Sequence, residues 1–361
     1  MSAENLETGF DTAKAEAFAG RFLGALNNGA LCLMTSVGHR TGLFDAMRQL
    51  PPATSTDIAS RAGLNERYVR EWLGAMVTAG VVNVDASRNC FSLPPEHAAC
   101  LTRAAAADNM AVFAQYIAML GAVEDDIVHC FKQGGGVPYE RFHRFHEVMA
   151  EDSGQSVLSS LEAHILPLVP GLTDRLARGI QVLDVGCGRG RIMTRLARLY
   201  PHSRFVGMDL SADAIAFARD EASNVNNVEF IATDLSDFDQ SAAADSFDFI
   251  TTFDAVHDQA EPLNVLKGIY RTLKKDGIYL MQDISGTSHV EQDIKHPIGT
   301  FLYTVSCMHC MTVSLAQGGE GLGAMWGEEK TRDYLRRAGF RSVATHKLAH
   351  DIQNNWYVAM K

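Results

Sequence analysis

The amino-acid sequence predicts an α/β protein, in which a mostly helical N-terminal domain with a winged helix precedes an open, mostly parallel β-sheet. Three observations support this fold class. From residue 179 onward, short apolar segments alternate with segments of helical periodicity; a glycine-rich turn follows the first apolar segment; and the patterns before about residue 165 are mainly helical. Alternating strands and helices predict a parallel sheet covered by helices on both faces.

The glycine-rich turn lies in the run Val182–Gly190, which reads VLDVGCGRG. An apolar, β-branched strand contains Asp184, and glycines then occupy alternate positions before a helical pattern begins. Glycine adopts positive φ and has no Cβ, so such a turn lets a ligand approach the backbone closely. The spacing G-x-G-x-G matches neither the dinucleotide fingerprint nor the phosphate-binding loop. The pattern therefore disfavours a pyrophosphate ligand.

An acidic residue also follows or ends each of three further predicted strands. These strands are Arg204–Asp209, Val228–Ala232 and Phe247–Phe253. Their acids are Asp209, Asp234 and Asp254. Asp209 comes 25 residues after Asp184, and an acid at this place in a nucleotide-binding fold accepts hydrogen bonds from the ribose hydroxyls.

The pattern D-x-G-x-G-x-G that begins at Asp184 resembles motif I of the class I methyltransferases that depend on S-adenosylmethionine (SAM). The resemblance implies a Rossmann-like, seven-stranded sheet, with SAM as cofactor and S-adenosylhomocysteine as product. In this family, the acid that corresponds to Asp234 meets the adenine amino group, and its apolar neighbour packs on the ring. The implied SAM-binding residues are Asp184, Gly186, Cys187, Gly188, Gly190, Asp209, Leu210, Asp234, Leu235, Phe253 and Asp254.

Three regions are predicted along the chain. Residues 1–100 form N-terminal helices and the winged helix, 101–165 a helical connector, and 166–361 the SAM-binding domain. The last three strands of the sheet are predicted at Gly277–Ile284, Ser342–Leu348 and Trp356–Met360. The connector carries Phe142–His146, which is predicted to lie on a helix, facing either the ligands or the boundary between domains.

The N-terminal region has the outline of a winged helix. Helical patterns run to about residue 30, from Leu31 to Leu50, and from Thr54 and Asn65 onward, followed by a short predicted hairpin near residues 81–93. Such a domain can bind DNA through its second helix. Residues 1–100 carry eight basic and ten acidic side chains, whereas DNA affinity needs a basic face. A role in dimerisation and in forming a wall of the substrate pocket is therefore favoured over DNA binding.

His257 is the candidate catalytic base. It follows the strand Phe247–Phe253, and an unperturbed imidazole is largely neutral at cytosolic pH, as a base must be. The stretch Val256–Asp258 resembles the Leu-His-Asp-Trp of winged-helix O-methyltransferases, whose histidine is the base; Gln259 stands here in place of the tryptophan. The alternative is that His257 caps a helix or packs beside SAM.

The segment between the fifth and sixth strands of the sheet is predicted to cover the acceptor. It is rich in aromatic residues, methionine and thiols, and residues 318–327 are glycine-rich, as in a lid. The predicted acceptor-pocket residues are His146, Tyr303, His309, Cys310 and Trp326. Cys307 and Cys310 form a CxxC, but a structural zinc site needs four ligands and the sequence has no second such pair, so no metal is predicted.

These lid-region residues, with His257, resemble a family of bacterial methyltransferases described in mycobacteria, which join a winged helix to a class I SAM domain. The resemblance implies a homodimer and a small, largely apolar or aromatic acceptor. O-methylation suits His257, while a thiol or nitrogen acceptor stays open. Two other hypotheses are a SAM-responsive transcriptional regulator and a non-catalytic SAM-binding protein.

Composition limits the partners further. The net charge of −11 disfavours nucleic acid and anionic membranes. Seven scattered cysteines predict reduced thiols and a cytoplasmic protein. Apolar runs stay shorter than the roughly 18 residues that span a bilayer, and the acidic N-terminus Met1–Glu7 lacks the charge pattern of a signal peptide.

Overall fold

The computed structural model describes residues 10–361, without the side chain of residue 107. The chain divides into two compact units, Met1–Ala118 and Met119–Lys361. The predicted features of the first nine residues, which are the acidic N-terminus and the start of the first helical region, lie outside the described residues. The predicted boundaries at residues 100 and 165 stay predictions.

The first unit consists of helices and one small hairpin. The hairpin pairs β1 (Asn83–Asp85) with β2 (Cys90–Ser92) in antiparallel orientation. This arrangement confirms the winged-helix prediction. The helices are Thr12–Arg40, Leu43–Arg48, Ser55–Ala62, Glu66–Thr78 and Pro95–Leu101, followed by the 3₁₀ segment Arg103–Asp108.

The first helix, Thr12–Arg40, is continuous over 29 residues, so the predicted break near residue 30 is wrong. Asn28 and Gly29 suggested the break, but such residues cost only about 1 kcal/mol each in a helix. The good helix formers on both sides outweigh this cost. The helix ends before Gly42, which has a φ of 73°.

The two helices of the winged motif follow their sequence patterns. The Thr54 hydroxyl accepts a hydrogen bond from the Asp57 N–H, and the Asp57 carboxylate accepts one from the Thr54 N–H, each at 3.2 Å. This reciprocal pair fixes the start of Ser55–Ala62. In Glu66–Thr78, helical spacing predicts an apolar face of Val69, Trp72, Leu73, Met76 and Val77; the first four are buried and Val77 is half-buried.

The second unit contains a seven-stranded sheet. Its strands are β3 (Gln181–Val185), β4 (Arg204–Asp209), β5 (Val228–Ala232), β6 (Phe247–Phe253), β7 (Leu273–Ile284), β8 (Ser342–His346) and β9 (Asn354–Met360). The order across the sheet is β5-β4-β3-β6-β7-β9-β8. The strands β3 to β7 pair in parallel, and β9 is antiparallel to both of its neighbours. The predicted seven-stranded, mostly parallel sheet is confirmed.

Helices cover both faces of this sheet, as β3 illustrates. Val182 packs into one buried cluster with Met193 of the following helix, while Leu183 packs into a second cluster with Val265. Alternate residues of a strand point to opposite faces, so a strand buried on both sides is apolar at successive positions. In the sheet, β3 lies between β4 and β6, so the connection after β3 leads to one neighbour and the connection after β5 returns to the other. Such a reversal of strand order opens a crevice at the carboxyl ends of the strands.

The helices of the second unit vary from single turns to twelve residues. They begin with Ala114–Gly121, which crosses the boundary between the units, and continue with Glu124–Gln133, Phe145–Ser156, Leu172–Arg178, Arg191–Leu199, Ala212–Glu221, Phe238–Ser241, Pro262–Thr272, Val290–Asp293, Gly299–Val305, Met311–Ala316 and Gly327–Ala338. Two π-helical segments, Leu161–Ile165 and Ser306–Cys310, interrupt the α-helical pattern. Within residues 10–361, no helix combines the length and apolarity needed to cross a membrane.

Candidate active site

A cavity of about 580 Å³ lies at the carboxyl ends of β3 to β6. Each of these strands contributes the residues that directly follow it or end it. They include Gly186 and Gly188 after β3, Asp209 and Leu210 at the end of β4, Asp234 and Leu235 after β5, and Phe253 and Asp254 at the end of β6. The structure thus brings together eight of the eleven residues predicted to bind SAM.

The glycine turn has two kinds of glycine. Gly186, Gly188 and Gly190 all have positive φ, at 75°, 52° and 66°. A Cβ on Gly186 would lie 2.4 Å from the Ala255 Cβ, and one on Gly190 would lie 2.3 Å from Phe230 Cε1. A Cβ on Gly188 would meet nothing within 4 Å. Gly186 and Gly190 therefore allow the turn to pack, while Gly188 presents its backbone to the cavity.

Replacing Gly190 by alanine is expected to lower the free energy of unfolding by about 1–3 kcal/mol more than replacing Gly188, because only the first substitution overpacks the core against Phe230. The Gly188→Ala variant is the matched control, since it carries the same positive-φ strain with free space around the Cβ. Urea denaturation measures both variants. Equal losses would contradict the packing role of Gly190.

Asp209 links the end of β4 to the glycine turn. Its Oδ2 accepts a hydrogen bond from the Gly188 N–H at 2.8 Å, and its Oδ1 accepts one from the Ser211 N–H at 2.9 Å. The carboxylate also lines the cavity. It is thus held by the backbone on both sides and can accept further hydrogen bonds from a ligand.

Three of the predicted SAM-binding residues, Asp184, Cys187 and Gly190, lie behind the cavity wall. Asp184 is 2% exposed, and its carboxylate accepts a hydrogen bond from the Thr251 hydroxyl at 2.7 Å. Burial raises its pKa to about 7. The Cys187 N–H donates to the Met208 carbonyl at 3.0 Å. These contacts hold the turn against β4 and β6.

Asp254 has an unusual backbone and an unsatisfied side chain. Its φ is 50°, which is strained for a residue with a Cβ, and such strain concentrates at functional sites. Its Oδ1 is buried without a hydrogen-bond partner among the described residues, although the residue lines the cavity. Burial, followed by the nearby Asp283, raises its pKa well above its usual value. A cationic or hydrogen-bond-donating ligand group would satisfy this oxygen.

His257 forms a buried pair with Asp283. The distance from His257 Nδ1 to Asp283 Oδ1 is 2.7 Å, and the two side chains are 3% and 0% exposed. Burial by itself lowers the pKa of His257, but the carboxylate of Asp283 and the neighbouring Cys310 outweigh it and raise the pKa well above its usual value. Asp283 was not predicted as a site residue, although it lies near the end of β7 and the other site acids were predicted from such positions at the ends of strands.

Two further donors hold the same oxygen of Asp283. Trp326 Nε1 donates to Oδ1 at 3.0 Å, and the Ile284 N–H donates at 2.9 Å. Trp326, predicted as an acceptor-pocket residue, is 3% exposed and does not line the cavity. It therefore orients the acid that orients His257.

Aromatic residues from the segment 139–146 close one side of the cavity. Tyr139, Phe142, Phe145 and His146 all line it. The Tyr139 hydroxyl donates to Asp258 Oδ2 at 2.5 Å. Burial raises the pKa of Asp258 to about 6 and lowers that of His146 below its usual value. Phe142, Phe145 and His146 belong to the stretch predicted to face either the ligands or the domain boundary, whereas Tyr139 was not predicted.

The structure separates the other predicted acceptor-pocket residues from the cavity. His309 and Cys310 lie behind the wall and are 1% and 6% exposed. Tyr303 does not line the cavity, and its hydroxyl donates to Asp293 Oδ2 at 2.9 Å.

The segment 142–144 is a turn, because the helix begins at Phe145. The prediction that this whole segment is helical is therefore wrong.

The glycine-rich residues 318–327 do not form a loose lid. The Glu320 N–H donates to the Ala260 carbonyl at 3.0 Å, and the Gly321 N–H donates to the Ser314 hydroxyl at 3.1 Å. A Cβ on Gly319 would lie 2.4 Å from the Ala260 Cα. The glycines thus allow close packing beside the cavity.

Across residues 10–361, no group of three or more His, Cys, Asp or Glu side chains has a metal-binding arrangement.

Two family models match the chain. The Rv2258c-like winged helix-turn-helix domain matches residues 29–103, and a methyltransferase domain matches residues 176–339. The ubiquinone biosynthesis O-methyltransferase of Actinobacillus pleuropneumoniae serotype 5b (strain L20) is 30% identical over 113 residues, which cover 30% of this chain and 47% of that protein. The chain therefore spans about half the length of the curated relatives that it matches first.

Solved structures resemble nearly the whole chain. Human N-acetylserotonin methyltransferase in complex with SAM has a TM-score of 0.66 at 18% identity, covering 98% of this chain and 99% of that chain. An O-methyltransferase family protein from Burkholderia thailandensis has a TM-score of 0.63 at 15% identity, covering 98% and 99%. At such identities, the likeness shows the fold.

The strand order, with a glycine-lined crevice at its centre, defines a class I methyltransferase fold. The chain combines this fold with two matched domains: residues 176–339 match the methyltransferase-domain model, and residues 29–103 match the Rv2258c-like winged helix-turn-helix model.

Proposed function

We propose that the protein transfers the methyl group of SAM to a small, largely apolar acceptor, and that oxygen is the favoured acceptor atom. The observation that carries this proposal is the buried His257–Asp283 pair beside the cavity. His257 comes after β6, and Asp283 lies near the end of the neighbouring strand β7. Sulfur and nitrogen acceptors are the alternatives. A thiol, which is partly ionised near neutral pH, would depend less on a base.

The cavity suits SAM in its size and in its polar groups. The Gly188 backbone, the Asp209 and Asp234 carboxylates and the Leu235 side chain would hold the nucleoside, and the unsatisfied Asp254 Oδ1 suits a cationic group. Gly188 leaves open space where a Cβ would stand. When bound, SAM supplies an electrophilic methyl group on a sulfonium. Its aligned binding can contribute several kcal/mol to lowering the barrier.

His257 would take the proton of the acceptor. With Nδ1–H donating to Asp283, Nε2 is the nitrogen of the neutral imidazole that would accept the proton. The buried Asp283 carboxylate stabilises the imidazolium that results, as a carboxylate does in other acid–base dyads. Trp326 and the Ile284 N–H fix that carboxylate, so the imidazole keeps one orientation during the reaction.

The first test is isothermal titration calorimetry with S-adenosylhomocysteine, followed by an acceptor screen that measures S-adenosylhomocysteine release. Binding at one site per chain and release with a hydroxyl acceptor would support the proposal. Absence of binding by the folded protein would refute it. Binding without turnover on any acceptor would favour a SAM-binding regulator or sensor.

A homodimer is part of this proposal, and the helix Thr12–Arg40 supports it. Large apolar side chains recur along one side of this helix at helical spacing. They are well exposed in the single chain: Phe18 56%, Phe22 55%, Leu23 62%, Leu26 60% and Leu33 42%. An apolar stripe of this length marks a protein contact, and a second copy of the chain is the occupant that the resemblance implies.

Introducing Leu23→Glu together with Leu26→Glu is expected to convert the dimer into monomers, because both side chains are more than half exposed in the single chain and would be buried in the contact. Analytical ultracentrifugation distinguishes one chain of 39.4 kDa from two. Asn28→Glu, at an exposed position on the opposite side of the helix, is the control and is expected to leave the dimer intact. A monomeric wild-type protein would contradict the proposal.

DNA binding is disfavoured for the same unit. In the helix Glu66–Thr78, Arg70 pairs with Glu66 at 3.1 Å, and Arg67 pairs with Glu71. Acidic partners cancel the positive charge that phosphate contacts need.

The proposal of a cytoplasmic location rests on the seven cysteines, all of which are free thiols in the structure.

A further inference from the structure

His309 is a buried histidine without hydrogen bonds. It is 1% exposed, and neither Nδ1 nor Nε2 has a partner among the described residues. A buried donor and acceptor left unpaired cost folding free energy, so a position of this kind calls for an explanation. His309 lies in the π-helical segment Ser306–Cys310, a distortion that is frequent at functional sites.

Aromatic rings surround this imidazole. The Phe145 ring stacks on it with centroids 3.7 Å apart and planes within 12°. The Phe142 and Tyr139 rings contact it in edge-to-face orientation at 4.7 Å and 5.3 Å. All three of these rings line the cavity on their other side. A single layer of side chains therefore separates His309 from the cavity.

The proposed base is also enclosed. His257 is 3% exposed and does not line the cavity. Cys310, the neighbour of His309, contacts the His257 side chain. An acceptor hydroxyl can therefore reach His257 only if neighbouring side chains move, and His309 lies next to one of the residues that enclose it.

The wall segment is anchored at its start. Gly134 and Gly135 have φ of 75° and 80° with nothing within 4 Å of an added Cβ, but a Cβ on Gly136 would lie 2.0 Å from the Thr312 carbonyl oxygen, and the Val137 N–H donates to the Thr312 hydroxyl at 2.8 Å. A movement of the wall would therefore begin after Val137. The helix that begins at Phe145 has no side-chain cap at its start. The Tyr139–Asp258 hydrogen bond, at 2.5 Å, holds the segment against the residues that follow β6.

We propose that His309 is the floor of a latent acceptor subsite, which the Phe145 ring fills in this structure and which receives a planar, uncharged ring with a hydroxyl group. The stacked Phe145 defines the shape of the ligand, and the two unpaired imidazole nitrogens define its hydrogen-bonding group. The residues that line the cavity include acids such as Asp258 and Glu261 but no Lys or Arg, which disfavours an anionic acceptor. This inference rests on the proposed function, since the subsite adjoins the proposed base.

The test uses two probes of equal shape, 2-naphthol and 2-methylnaphthalene, titrated against the full chain saturated with S-adenosylhomocysteine. The wild type is expected to bind 2-naphthol about tenfold more tightly, which corresponds to one hydrogen bond to a buried group. Phe145→Ala is expected to tighten the binding of both probes about tenfold, because no ring then has to be displaced. Phe131→Ala, at a side chain that is 78% exposed, is the control and should change neither affinity.

His309→Phe provides an independent readout. An apolar ring fits the aromatic surroundings and removes the unpaired nitrogens, so Tm is expected to rise by about 2 °C, while the preference for 2-naphthol disappears. Four results would each overturn the proposal. Phe145→Ala could bind the probes more weakly than wild type, or neither wild type nor Phe145→Ala could bind either probe. His309→Phe could keep the preference for 2-naphthol, or its Tm could fall. Calorimetry with S-adenosylhomocysteine separates the two inferences: binding of S-adenosylhomocysteine with a failed probe pattern overturns only the subsite.

Discussion

His257→Ala is expected to lower the turnover number about 10²- to 10⁴-fold, the usual contribution of a positioned general base, and to leave the affinity for S-adenosylhomocysteine unchanged. The reason is geometric: His257 contacts Asp283 and Cys310 and does not line the cavity that would hold the nucleoside. Single-turnover kinetics and calorimetry on the same preparation measure the two quantities. His202→Ala, at an exposed histidine, is the matched control and should change neither.

The pH profile gives the same prediction a second readout. The pKa of His257 is raised well above its usual value, and only the neutral imidazole accepts a proton, so the turnover number is expected to increase as pH rises through that pKa. Asp283→Asn removes the carboxylate that holds the pKa up, so the increase should move to lower pH while the plateau falls. A profile that does not shift in Asp283→Asn, or a His257→Ala variant with normal turnover, would eliminate His257 as the base.

Asp209→Ala is expected to weaken the binding of S-adenosylhomocysteine about 100-fold or more. The carboxylate lines the cavity and accepts hydrogen bonds from the Gly188 and Ser211 N–H groups. Its loss removes the charged acceptor of the ribose hydroxyls and frees the turn that surrounds the ligand, and each hydrogen bond to a charged group contributes about 1.5–3 kcal/mol. Calorimetry measures the change directly.

Asp220→Ala is the control for this variant, because it removes the same charge from an exposed position on the nearby helix Ala212–Glu221. It should leave the affinity within twofold of wild type. If Asp209→Ala binds S-adenosylhomocysteine normally, the nucleoside does not lie against β4, and the proposed orientation of the ligand is incorrect.

Local sequence patterns predicted the elements of the sheet well. The bounds of β4, β5 and β6 agree with prediction, because each is a compact apolar run between clear turn residues. β7 starts at Leu273, four residues before the predicted Gly277, because Leu273 pairs with Phe247 of β6 and the polar residues between them form an irregularity in that pairing. The sequence predicts two N-terminal helices where the structure has one, Thr12–Arg40, because the helix formers on both sides outweigh the weak helix formers near residue 29.

Strand and helix periodicity and positive-φ glycines are local properties of the chain, so the amino-acid sequence was enough to predict the fold class, the glycine turn and the acids that end the strands. Which side chains meet depends instead on the three-dimensional packing of strands and helices. Asp283 contacts His257 because β6 and β7 are neighbours in the sheet, and Phe145 stacks on His309 across more than 160 residues of chain. Hydrogen-bond partners and burial depend on how the strands are ordered and how the helices pack, and no local pattern encodes that arrangement.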